Sequence, residues 1–262
     1  MKLLPYLLLA LLVITACGEN DDEPLATDGD VTINLRALYD GDPLVISETE
    51  SQTYVDGSEF YMSKLSFYLS EIELVRSGDN AAELEEVVLI ELRDNHETLA
   101  DAQLGTTLRF TGIPTGTYTG LRFGLGVPSD LNAMRPEDYA TGQSLANGSF
   151  YWDGWNSYIF AKIEGRVDTN DDGMFDGPIA YHTGGDDLYR TVTFSNLDIV
   201  VTGTGEATIN LTLDALDMLS SSQATLDIIN EGFSHSNPDD NKDVVISTKV
   251  MDNLSNAFEI VD

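Results

Sequence analysis

The sequence predicts an all-β protein, an antiparallel β-sandwich with one or two short covering helices. Three observations carry that expectation. Apolar and polar residues alternate over several short runs, turn-forming Gly, Asp, Asn and Pro separate those runs, and helical periodicity is confined to two stretches in the last fifty residues or so of the 262-residue chain. With 42% hydrophobic residues and 22 glycines against 8 prolines, the composition supports a packed core and argues against a disordered or collagen-like chain.

The first residues stand apart from the fold. Met1-Lys2 precedes an apolar run from Leu3 to Ile14 that is broken only by Pro5 and is too short to cross a bilayer, so residues 1–16 read as a secretory signal. The run closes on Ile14-Thr15-Ala16-Cys17, which resembles a bacterial lipobox with Cys17 as the acylated residue. Cys17 is the only cysteine, so the mature chain forms no internal disulfide. Residues 17–29, with Gly18-Glu19-Asn20-Asp21-Asp22-Glu23-Pro24 and Asp28, read as an acidic tether, either a plain spacer or an address resembling lipoprotein export signals to the outer face of an outer membrane. No later segment has a linker's composition, and residues 30–262 are expected to form one domain.

Within that domain the strands follow in order. Val31–Tyr39 ends at the turn Asp40-Gly41-Asp42-Pro43. In Phe60–Leu74 the apolar face passes from Leu65, Phe67 and Leu69 to Ile72 and Leu74, a change of parity that predicts a bulge near Ser70. Val87–Leu92 lies beyond the turn Ser77-Gly78-Asp79-Asn80, and Thr117–Val127, with Leu121, Phe123, Leu125 and Val127 on one face, follows Pro114-Thr115-Gly116. Tyr158–Glu164, Arg190–Phe194 and Ala207–Leu213 complete the set. Helical spacing appears in Asp214–Leu219 and in Ile246, Val250, Leu254 and Phe258.

Charge restricts function. Thirteen Lys and Arg against 45 Asp and Glu give a formal net charge of −32, which excludes a nucleic-acid binder. It also makes anionic lipid repulsive, leaving the acyl chains as the expected membrane contact.

Three clusters could carry chemistry. Asp168-Thr169-Asn170-Asp171-Asp172-Gly173-Met174-Phe175-Asp176 reads as a loop of oxygen ligands. Asp168, Asn170, Asp172 and Asp176 would contribute side chains, Met174 its carbonyl, and Gly173 the sharp turn. Ile179 stands where an EF-hand places its bidentate Glu, so the expectation is a structural calcium loop rather than a helix–loop–helix sensor. The second cluster, Phe150-Tyr151-Trp152-Asp153-Gly154-Trp155-Asn156-Ser157-Tyr158-Ile159-Phe160, holds both tryptophans, as core packing or as the lining of a sugar, cation or metal site. The third is Tyr181-His182-Thr183-Gly184-Gly185. His96, His182 and His235 are the three histidines, each read as a solvated loop residue from its neighbours. The nucleophile elbow, zinc-protease helix, P-loop and dinucleotide fingerprint are all absent from the sequence, and no enzyme is expected.

Taken in order, several blocks resemble the MbnP-like family. They are Val31–Leu44, Ser63–Ile72, Leu121–Asn132, the run Trp152-Asp153-Gly154-Trp155-Asn156-Ser157-Tyr158 on to Gly165, Tyr181-His182-Thr183-Gly184-Gly185, and Asp252–Phe258. The family takes its name from a periplasmic protein encoded beside a copper-chelating compound, methanobactin, and is similar to copper proteins in which histidines and an oxidised tryptophan surround Cu(I). The resemblance implies a β-sandwich that binds copper through His182 and His235, with Trp152 or Trp155 as the tryptophan of the site.

Two readings follow. One is a non-catalytic copper-binding lipoprotein of the bacterial envelope, at the cell surface or on the periplasmic face, stiffened by calcium and exchanging copper with a protein or small-molecule partner. The other is a calcium-dependent surface module for adhesion or glycan binding, with Tyr151, Trp152 and Trp155 as its platform and no copper role. The first requires His182 and His235 to converge; the second places them apart.

Overall fold

The computed structural model describes residues 27–76 and 80–261. The signal segment 1–16, Cys17, most of the tether and Ser77-Gly78-Asp79 lie outside the described residues. In chain order the elements are β1 (Asp28–Tyr39), β2 (Asp42–Pro43), β3 (Ser51–Thr53), β4 (Glu59–Val75), β5 (Ala81–Glu91), α1 (Leu99–Leu104), β6 (Thr106–Pro114), β7 (Gly116–Leu125) and α2 (Ser129–Asn132). Then come β8 (Tyr151–Trp152), β9 (Ser157–Val167), β10 (Gly177–Gly184), β11 (Arg190–Val201), β12 (Glu206–Asp214), α3 (Ala215–Leu219), β13 (Phe233–Ser234), α4 (Asn241–Asn256) and β14 (Phe258–Val261).

These strands form the expected sandwich. One sheet runs β14-β12-β1, with β2 and β6 on the far edge of β1. The other runs β11-β7-β4-β9-β10-β13, with β3 and β5 also on β4. Alternation explains the burial: Val31, Ile33, Leu35, Ala37 and Tyr39 of β1 all face inward. Edge-on aromatic pairs join the layers, Tyr39 with Phe60 at 5.7 Å between centroids and Phe258 with both Phe67 at 5.8 Å and Phe123 at 5.3 Å.

The sheets are mixed rather than purely antiparallel. β12 runs parallel to β1 from Asp30↔Glu206 to Leu38↔Asp214, and β13 runs parallel to β10. Parallel partners need a crossover between them, and the residues that join β1 to β12 carry β2 to β11, with α3, β13, α4 and β14 following β12.

The bulge expected near Ser70 is present. The β4–β7 register shifts between Ser70 and Glu73, and Glu71 adopts φ +46°. Along the same edge of β4, residues 60–67 pair with β9 and residues 69–75 with β7, so the bulge lies just beyond the point where the sheet forks. The turn at Asp40-Gly41 has φ of +50° and +84°, the paired positive values of a tight hairpin.

Against an expectation of one or two short covering helices, four α-helices are present among the described residues. α3 coincides with the predicted stretch and is capped by Asp214, whose side chain accepts Leu216 N–H. α4 spans 16 residues, capped by Asp240, and buries Ile246, Val250, Met251 and Leu254. Phe258, expected on that helix, begins β14 instead, because the helix ends at Asn256 and the chain turns back to β12. No helix among the described residues is long and apolar enough to cross a membrane.

Candidate metal centre

Strand register brings the site together. On β10, Ile179, Tyr181 and Thr183 face the core, so Ala180 and His182 face away from it. The parallel pairs Ala180↔Phe233 and Tyr181↔Ser234 carry β13 along the free edge of β10. One residue further in that register, His235 falls beside His182, and the two imidazoles stack with centroids 4.9 Å apart and planes 6° from parallel.

The surrounding chain holds this arrangement. Asp243 at the start of α4 accepts the backbone N–H of His235 at 3.0 Å and that of Asn237 at 2.8 Å. Ser236 Oγ accepts Gly184 N–H at 3.1 Å and lies 2.9 Å from Ser247 Oγ, joining the loop to both β10 and α4. His182 Nε2 lies 2.8 Å from Glu164 Oε1, a carboxylate on the neighbouring β9.

The tryptophans complete the wall. Trp152 and Trp155 occupy the ends of one turn, with Trp155 N–H donating to Trp152 O at 3.2 Å, and their rings meet edge-on at 4.6 Å. Trp152 is half-buried and its ring centroid lies 5.9 Å from that of His235. Phe233 packs against His235 at 4.4 Å. Gly184 permits the close strand approach at this corner, where a Cβ would lie 2.3 Å from Tyr158 O and 3.4 Å from the Trp152 ring. Clefts of about 470 and 480 Å³ open on either side of Trp155, the first bounded by Trp152, Asp186 and Asp187 and the second by Phe233, His235 and Asp243. Trp155 is 40% exposed between them.

Electrostatics favour neutral imidazole at His235. Burial lowers its pKa, and proximity to His182 lowers it further against the opposing pull of Asp243. The hydrogen bond with His182 holds Glu164 below the usual carboxylate range, with Lys64 and Lys162 acting the same way. Imidazole suits copper, and an indole beside the pair supplies apolar surface, so the donor types are compatible with a copper ion. Among the described residues, no group of three or more His, Cys, Asp or Glu side chains is placed to hold a metal ion. The pair therefore offers two imidazole donors, with an indole rather than a third such side chain beside them.

His182 is not the loop residue its Gly-Gly neighbours indicated; it lies on a strand, in ladder with Lys162. His96 corrects the sequence reading more strongly. It is fully buried, far from solvent, with Nε2 accepting Ala37 N–H at 3.0 Å and Nδ1 donating to Leu92 O at 2.8 Å. It is a core strut rather than a solvated residue, and burial lowers its pKa.

The Asp168–Asp176 segment links β9 to β10 as a self-capped loop. Asp168 Oδ2 accepts Gly173 N–H at 2.7 Å, Asp168 Oδ1 accepts Asn170 and Asp172 N–H, and Asp172 Oδ1 accepts Met174 N–H at 2.9 Å. Gly173 adopts φ +82°, as the expected sharp turn requires. Asp176 turns to the Thr169 hydroxyl at 2.6 Å, and Met174 O accepts Asp176 N–H.

Sequence and fold comparisons agree with this architecture. The MbnP family model matches residues 28–239. No curated protein matches the chain. A solved structure, MbnP from Methylosinus trichosporium, is similar with a TM-score of 0.58 and 16% identity, covering 89% of this chain and 98% of that one. At that identity the likeness is one of fold.

Proposed function

Because the chain belongs to the MbnP family, we propose that it is a non-catalytic copper-binding protein whose site is formed by His182, His235 and Trp152. The observation that carries this reading is the stack of two histidines, contributed by separate segments and walled by Trp152. Bound there, copper would take imidazole nitrogens as ligands, with the half-buried Trp152 ring as apolar surface on one side. Trp155, exposed between the two clefts, lies at the entrance. The lipobox-like Cys17 supports, within this proposal, a bacterial-envelope location, on an outer-membrane lipoprotein held by its acyl chains. Calcium on the Asp168–Asp176 loop belongs to the same proposal, as a structural ion at one end of the β9–β10 hairpin.

The test is competition for Cu(I) with a chromophoric chelator, using the chain from residue 17 with Cys17→Ser to remove its thiol. Stoichiometric binding, weakened more than about 100-fold in both His182→Ala and His235→Ala, is expected for direct ligands, whose loss exceeds the roughly 10- to 100-fold effect of outer partners. Equally weak binding in all three proteins would overturn the copper reading and leave the calcium-dependent adhesion or glycan-binding module in its place.

A further inference from the structure

We propose that Glu164 is a positioning residue for this centre: by accepting a hydrogen bond at His182 Nε2, it fixes the ring and leaves Nδ1 as the nitrogen that meets the metal. The proposal rests on the copper reading above and concerns a residue outside its ligand set.

Strand geometry makes the contact specific. His182 is the register partner of Lys162, and Glu164 is the register partner of Ala180 on β10 and of Lys64 on β4. Glu164 therefore meets His182 on the diagonal, across a position where Ala180 leaves room. Lys162, directly opposite His182, sends its ammonium elsewhere: it bonds Ser149 O and lies 4.3 Å from the Phe150 ring centroid. That leaves the carboxylate to the imidazole, with Oε1 and Nε2 at 2.8 Å and only moderate solvent access on either side.

Chemistry then fixes the direction. Glu164 Oε1 lies 2.8 Å from His182 Nε2, and a glutamate carboxylate, ordinarily ionised from well below neutral pH upward, only accepts hydrogen bonds. Nε2 must therefore carry the hydrogen. A neutral imidazole has one N–H, so the lone pair available to a metal is on Nδ1. A carboxylate behind a ligand histidine also raises its basicity and restricts its rotation. The last effect matters here, because lone pairs lie in the ring plane and the two rings stack 6° from parallel, so the orientation of each ring decides whether both reach one ion.

Two readouts test the proposal on the chain from residue 17 carrying Cys17→Ser. The first needs no metal: nitrogen-15 NMR of the apoprotein at about pH 8, above the ordinary histidine range, should show His182 protonated on Nε2 with a slowly exchanging proton. That proton should exchange fast in Glu164→Ala and be partly protected in Glu164→Gln, whose amide oxygen can still accept. The second is Cu(I) affinity, expected to fall about 10- to 100-fold in Glu164→Ala and less in Glu164→Gln. Unchanged melting of the Gln variant separates this loss from unfolding. Protonation on Nδ1, or wild-type affinity in Glu164→Ala alongside loss in His182→Ala, would overturn the positioning role and leave the copper site standing. Wild-type affinity in His182→Ala would overturn the copper site itself, and the positioning role with it.

Discussion

The carboxylate of Asp243 accepts the backbone N–H of His235, so helix α4 sets the place of one of the two stacked histidines. A two-pair ladder is a short tether for a functional loop, and this capping contact supplies the constraint the ladder lacks. Asp243→Ala should leave His235 in the chain while freeing its loop. The expected result is a weakening of Cu(I) binding by roughly tenfold, of the order seen for outer-sphere partners, with a smaller loss in Asp243→Asn, which can still accept one bond. Chelator competition on both variants measures it.

His96 predicts a pH dependence of stability. Its folded-state pKa is lowered by burial, so over the interval between the folded and unfolded values the unfolded chain binds the extra proton. Stability from this residue is therefore complete above the unfolded value of about 6.5 and falls as pH drops toward the folded value. Urea unfolding at pH 7.5 and 5.5 should show this loss, and His96→Gln should reduce the difference. The variant should also cost about 1–3 kcal/mol at neutral pH, since a buried hydrogen-bond partner of Ala37 or Leu92 is lost.

Both tryptophans lie in one turn beside the histidines, so the whole indole emission of the protein reports on this corner. Copper titration should change emission with the same stoichiometry as chelator competition. Trp155→Phe should retain most of the response, because Trp152 is the ring that faces His235, and Trp152→Phe should lose it. Fluorescence titration of the two variants decides between them.

Calcium makes a separate prediction. An ion that binds only the folded loop stabilises the protein by mass action, about 2.7 kcal/mol at a hundredfold excess over its dissociation constant. Chelation should lower the melting temperature by several degrees, and Asp172→Ala should melt alike with and without chelator. Identical wild-type curves in the two conditions would show that hydrogen bonds such as Gly173 N–H to Asp168 hold the loop without an ion.

Much of the architecture was legible because it depends on local alternation. The runs in β1, β7 and β12 announce their buried faces, and the parity change at Leu69 and Ile72 located the bulge at Glu71 to within a residue of Ser70. Pairing was not legible in the same way. Nothing in the alternation of Val31–Tyr39 says that its neighbour is a parallel strand starting at Glu206, since side-chain period is the same in both orientations. β6 was missed because its buried residues, Phe110 and Ile113, stand three apart and break the period of two. The histidine pair depended on long-range register for the same reason: His182 and His235 were named from composition and resemblance, while their contact comes from a ladder of two residues. Glu164 carried no signal among 45 acidic residues. His96 looked solvated from its acidic neighbours, and only tertiary packing turned it inward.

The lateness of β13 in the chain has a consequence for maturation. His182 is in place once the β9–β10 hairpin forms, but its companion arrives only with β13, and that loop is held only after α4 has docked. On the copper reading, a partly synthesised polypeptide thus carries a lone imidazole at this corner, unable to chelate. Metal capture, on that same reading, would wait until the tail is seated, and a chain clipped before α4 would be expected to fail to load.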